Sequence, residues 1–116
     1  MYTKKIPFKD FKGNPRTIEV NYNLTETEVI KLFREFQAVF EWRESLRGEE
    51  RILTSEEVAD FYTSFEEILL SAYGEPSDDG LYFRKGNRFD FEESALHNAA
   101  MVMFLTEPAE TMKLVD

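Results

Sequence analysis

Apolar and polar residues change their period several times along the chain, and each change marks an element. Around Lys12-Gly13-Asn14-Pro15, a stretch of turn formers, two short extended patterns face each other: Lys4 to Phe11, and Arg16 to Tyr22, where Ile18, Val20 and Tyr22 alternate with polar residues. This predicts a β-hairpin. Pro7 cannot donate to a strand ladder, which places the first strand at a sheet edge. From Leu24 the period becomes helical. Thr25 as N-cap and Glu28 three residues on form a capping box, Leu24 and Val29 form a hydrophobic staple, and Val29, Leu32, Phe33, Phe36, Val39 and Phe40 follow at three-and-four spacing. One helix is expected, ending at Gly48.

The same design recurs with Thr54 and Glu57 as box and Leu53 and Val58 as staple, followed by the face Val58, Phe61, Tyr62, Phe65, Ile68, Leu69 and Ala72. Gly74 can take the positive φ that closes this second helix, Pro76 prevents its resumption, and Asp79-Gly80 is a turn pair. Residues 74–80 therefore read as an acidic connecting loop. Leu81-Tyr82-Phe83 is too short to assign; a small strand and an extended tether both remain open. Asp90 as N-cap, with Glu93 in the box position, starts a third helix along Phe91, Ala95, Leu96, Ala99 and Met103. Thr106 capping and Pro108 in the first turn start a fourth, with Met112 and Val115 on its inner side. The fold class is α+β, mainly α: an N-terminal β-hairpin (1–23), then a small bundle of about four helices (24–116), in one domain.

Composition narrows the function. A formal charge of −9 over 116 residues opposes binding to nucleic acid and to anionic lipid surfaces. With no cysteine there is no disulfide framework and no thiolate metal site. No apolar stretch is long enough to span a bilayer, and lysines, Pro7 and Asp10 interrupt the N-terminus before a signal sequence could form. A soluble protein inside the cell is expected. His97 is the only histidine and reads as a surface or capped residue, and Asp78-Asp79-Gly80 lacks the alternating ligands and closing glutamate of a calcium loop. The paired glutamates point in different directions on their helices, and no phosphate-binding glycine loop is present. These residues motivate no catalytic group, metal or cofactor.

Eleven phenylalanines are the unusual feature. Aromatic stripes at helical spacing most often fill a core, but this chain has more rings than one small core obviously needs, and Trp42 and Tyr62 lie at the stripe margins. Phe36, Phe40, Trp42, Tyr62 and Phe65 are the candidates for a groove between helices that takes a partner helix.

The stretch Ile68 to Lys85 resembles the tail assembly chaperones of siphophages, in which a helix ending in Tyr-Gly runs into Ser-x-Asp-Gly and then an aromatic and a basic residue. The matching positions are Tyr73, Gly74, Ser77, Asp79, Gly80, Phe83 and Lys85. Phe91 to Leu96 and Leu105 to Ala109 resemble the family's next helix, its acidic break and its last helix. Leu81-Tyr82 departs from the basic residues that often follow Asp-Gly in the family. The resemblance implies a non-enzymatic chaperone that acts without cofactor in the host cell cytoplasm and is absent from the mature virion. It would bind the tape measure protein, keep it soluble and help recruit tail tube subunits. The tail tube protein and a frameshifted longer form of the chain are the further partners it implies, this sequence being the short form; whether the chain forms a homo-oligomer stays open at this point. A structural tail or adaptor protein, or an acidic inhibitor that mimics DNA, are the alternatives.

Overall fold

A computed structural model describes residues 1–45 and 55–115. The elements in chain order are β1 (Tyr2–Lys9), β2 (Pro15–Tyr22), α1 (Glu26–Lys31), α2 (Phe33–Ser45), α3 (Ser55–Ala72), β3 (Tyr73–Pro76), β4 (Phe83–Lys85), α4 (Arg88–Glu92), α5 (Ala95–Thr106) and α6 (Pro108–Val115). The fold is α+β and mainly α, with the N-terminal hairpin in place. The expected stop at Gly48, the Leu53 staple and the Thr54 cap lie outside the described residues, as do the side chains of Met112 and Val115. Two compact units divide the chain: Met1–Asn23 with Leu70–Asp116, and Leu24–Leu69.

The first unit is built on a four-stranded antiparallel sheet, order β1-β2-β3-β4, with β1 and its Pro7 at an edge. The hairpin pairs from Tyr2↔Tyr22 to Lys9↔Pro15. Its turn is closed by Asp10, whose carboxylate accepts from Lys12 N and Asn14 N, each at 2.9 Å, and from Arg16 Nε at 2.8 Å. These bonds, the one from Asn14 foremost, hold the Asp10 carboxyl below its ordinary range. Gly13 supplies the positive φ of 83° that the turn needs.

Strand alternation sends Ile6, Val20 and Tyr22 inward, where α5 packs on β1 and contributes Leu96, Ala100, Met101 and Phe104. Tyr22 sits at the centre of a ring cluster, with centroids of Phe104, Tyr2, Phe91 and Tyr73 at 6.0, 6.3, 6.3 and 6.4 Å. Each fully buried aromatic ring of this kind contributes about 1.5–3 kcal/mol through burial. The Tyr22 hydroxyl has no hydrogen-bond partner among the described residues.

Two caps differ from the expected ones. Asn87, not Asp90, caps α4, its side chain accepting from Phe89 N and Asp90 N, and Asp90 lies inside the helix. Ser94 then caps α5 through His97 N, so one expected helix becomes two. Thr106 closes α5 by donating to Val102 O and does not start α6. The start of α6 uses Glu107, whose carbonyl accepts from Glu110 N, with Pro108 in the first turn as expected. Buried Thr111 returns to α5, its hydroxyl donating to Phe104 O at 2.7 Å. The Tyr2 hydroxyl donates to Glu110, which also pairs with Lys4 and Lys113.

In the second unit the Thr25–Glu28 capping box forms as the sequence predicts. The expected single helix does not: Leu32, at φ −99° and ψ 23°, separates α1 from α2. The predicted apolar face was also too wide to be buried as one. With Val39 buried, a rotation of about 100° per residue puts Phe33 and Phe40 together on a flank roughly 100–120° away. Both are exposed there.

Candidate functional site

The sequence motif of residues 73–85 is a hairpin and not a connecting loop. α3 passes directly into β3, which pairs with β2 through Asn21↔Gly74 and Tyr22↔Tyr73 and with β4 through Gly74↔Lys85 to Pro76↔Phe83. Gly74 is not in the left-handed region; its role is close approach. A Cβ there would collide with the carbonyl oxygen of Arg84 and with the Phe83 ring, 2.7 Å away. Strand pairing across β3 and β4 therefore requires a residue without a side chain at this position.

The turn of this hairpin is wired from its own residues. Ser77 Oγ donates to Asp79 Oδ1 at 2.6 Å, the same oxygen accepts from Leu81 N at 3.0 Å, and Tyr82 N donates to Ser77 Oγ at 3.1 Å. Ser77 N donates to Tyr82 O, and Gly80 takes the positive φ of 75° expected of it. The hydrogen bond from Ser77, followed by that from Leu81, lowers the Asp79 carboxyl below its ordinary value. Leu81 and Tyr82 stand exposed at the tip, with the Arg84 guanidinium 5.4 Å from the Tyr82 ring. Tyr73 stacks on Phe91 at 3.8 Å and 7°, and Lys85 Nζ donates to Asn23 O at 2.8 Å while lying 5.2 Å from the Phe83 ring.

Gly86 is a residue the sequence reading missed. A Cβ on it would enter the Tyr73 ring, so it makes room for the Tyr73–Phe91 stack, and its N–H donates to Tyr73 O. A cleft of about 500 Å³ opens beside the hairpin, with Glu75, Arg84, Lys85 and Asp90 at its rim and Tyr73 and Phe91 in its wall. Of the two expected settings, surface or capped, His97 takes the second: it lies buried, edge-on to Phe91 at 5.0 Å, and its backbone N–H donates to the Ser94 cap.

The five groove candidates all belong to the second unit, and they do not form one exposed surface. Trp42 stacks on Phe61 at 4.2 Å and 16°, and Phe61 stacks in turn on Phe65 at 5.6 Å. Phe65 is fully buried, so its ring is core and presents nothing to a partner. Phe36 and Trp42 are half-buried, whereas Phe40 and Tyr62 are 51% and 41% exposed. Phe33, which was expected on the inner face, is 65% exposed. Among the described residues no group of three or more His, Cys, Asp or Glu side chains could hold a metal ion, and no helix is long and apolar enough to cross a membrane.

The family model described as phage tail assembly chaperone matches residues 1–116. The chain belongs to that family. Comparison with curated proteins and with solved structures returned no match. In this tail assembly chaperone the motif that carries the resemblance builds the fold: Gly74 permits strand pairing, Ser77, Asp79 and Gly80 shape the turn, Tyr73 stacks on Phe91 of α4, and Lys85 reaches the Asn23 carbonyl just beyond β2. The apolar surface that the chaperone leaves to solvent on α1 and α2 lies elsewhere in the sequence.

Proposed function

We propose that this chain binds the tape measure protein while the tail is assembled, holds its apolar helices in solution and helps bring tail tube subunits to it. The reading rests on membership of the chaperone family over the whole sequence together with one observation: large apolar side chains, Phe33 and Phe40 among them, are left exposed on a helix. Such side chains can cover another helix's apolar face without demanding a particular sequence, and the acidic charge of the chain opposes its self-association. The action is binding without catalysis, in the host cytoplasm, and the chain leaves before the particle is complete.

Co-expression tests this. The soluble fraction of the tape measure protein should rise several-fold with this chain present; equal insolubility with and without it would overturn the proposal. Mass spectrometry of purified virions should find no copies, whereas stoichiometric recovery would identify a structural tail protein instead.

A further inference from the structure

The β1–β2 hairpin is longer than the core it serves. Ile6 and Val20 are buried, but beyond them none of residues 7–19 is buried on either face. At about 3.3 Å per residue the turn begins roughly 13 Å past Ile6. A two-stranded ribbon with water on both sides is marginal by itself. This one is held by its turn: besides the three bonds to the Asp10 carboxylate, Asp10 N donates to Asn14 O and Gly13 N donates to Asp10 O, each at 2.9 Å.

The arm is also basic in an acidic chain. Residues 1–23 hold five Lys and Arg against Asp10 and Glu19, a charge of +3 where the total is −9, which leaves −12 for residues 24–116. Several of these charges are answered within the fold: Lys4 pairs with Glu110 at the base, Arg16 pairs with Asp10 at the turn, and Glu19 faces Lys5 across the ladder. Lys9 and Lys12 remain. Both are exposed, and neither lies within ion-pair distance of a carboxylate among the described residues. Between them in the sequence stands Phe11, 83% exposed.

We infer that this arm docks another protein, its tip of Phe11, Lys9 and Lys12 taking a segment in which a large apolar residue is flanked by aspartates or glutamates. The ring supplies the apolar anchor and the two lysines its charged border. Because the turn is already ordered, binding does not have to freeze a loose loop. The charge distribution favours a short acidic segment over a phosphate polymer. A nucleic-acid duplex or an anionic bilayer extends past the arm and meets the −12 of the remaining chain, whereas a segment at the tip is farther from the base of the arm than the screening length of about 8 Å. A second copy presenting the same arm brings lysine against lysine. The site uses no residue of the α2 flank invoked above.

The test uses the full chain and two labelled peptides with the same central Trp-Leu pair, one bordered by glutamates and one by lysines, titrated by fluorescence anisotropy. The glutamate peptide should bind at least about tenfold tighter, with an advantage that shrinks as salt is raised. Lys9→Glu with Lys12→Glu should invert the preference, and Phe11→Ser should weaken binding of the glutamate peptide at least about tenfold. Phe33→Ser with Phe40→Ser, on α2, should leave that binding unchanged. All these side chains are exposed, and circular dichroism checks that each variant is folded.

Equal affinity for the two peptides, or no binding of either, would overturn the inference, as would binding that is lost in the Phe33/Phe40 variant and kept in the Phe11 variant. Duplex DNA or phosphatidylserine vesicles that bind more tightly than the glutamate peptide, and are released by Lys9→Glu with Lys12→Glu, would overturn it by assigning the arm to phosphate. Light scattering that shows a dimer dispersed by the same substitutions would overturn it by assigning the arm to a second copy. A failure here leaves the co-expression result standing, and a failure of co-expression leaves the arm.

Discussion

Gly74→Ala is the sharpest perturbation of this fold, because two opposing effects can be weighed against each other. Gly74 has no positive φ, so alanine fits its backbone and would by itself stabilise the protein by about 0.4–1 kcal/mol through the lost freedom of the unfolded chain. Against this stands the new methyl group. Its principal neighbour is the backbone carbonyl of Arg84, not the end of a flexible side chain, so β4 must move away from β3. Overpacking of this kind costs about 1–3 kcal/mol, and the shift also strains the Gly74↔Lys85 and Glu75↔Arg84 pairs. A net loss of about 1–2 kcal/mol follows, which lowers a urea midpoint by roughly 0.5–1 M at an unchanged slope. Amide exchange should rise first in residues 73–86. Gly80→Ala is the contrast, since it meets open space but a positive φ and loses stability through backbone strain alone, without disturbing β3–β4 pairing. Wild-type or higher stability in Gly74→Ala, with unchanged exchange, would refute the close-approach argument.

Substitutions at three further positions probe the first unit. Thr111→Val keeps the shape but leaves the Phe104 carbonyl without the hydroxyl donor, and should cost about 1–2 kcal/mol in chemical denaturation, with Thr111→Ser retaining most of the stability. Tyr22→Phe removes a buried hydroxyl that has no partner among the described residues, so thermal unfolding should show a change of zero to about 1 kcal/mol in the stabilising direction. Glu110 has its carboxyl lowered below the ordinary 4.5, first by the Tyr2 hydrogen bond, so its contribution is present above about pH 4.5 and disappears as the pH falls through the lowered value. Glu110→Gln should flatten that acid limb of a stability-versus-pH curve. Tyr2 is shifted upward from 10.0, first by burial and then by Glu110, so the native state should also lose stability as the pH rises above about 10.

Local signals were legible where the answer depends on neighbours in the chain. The alternation of Ile18, Val20 and Tyr22, the Thr25–Glu28 box, the Gly80 turn and the edge position of Pro7 follow from spacing and backbone preference, and all are present. Features set by distant partners were not legible. Gly74 looked like a helix terminator because the approach of Arg84 cannot be read from the residues around it. Asp90 and Asn87 are both good caps, and their neighbours in the chain do not decide between them; the Asn87 side chain is the one that accepts from Phe89 N and Asp90 N. The groove candidates share this difficulty: a stripe of rings at helical spacing does not reveal which of them a neighbouring helix will cover, so Phe65 and Phe33 exchanged the places expected of them.

The edge strand β1 bears on how many copies could work side by side. Eight residues of unpaired sheet margin would ordinarily invite a neighbour to add its own strand, yet a newcomer here would meet Pro7 in the middle, with no N–H to offer, and the exposed lysines Lys5 and Lys9 on either side. Copies brought close together would stay separate beads, each able to leave by itself, and would not set into a continuous ribbon.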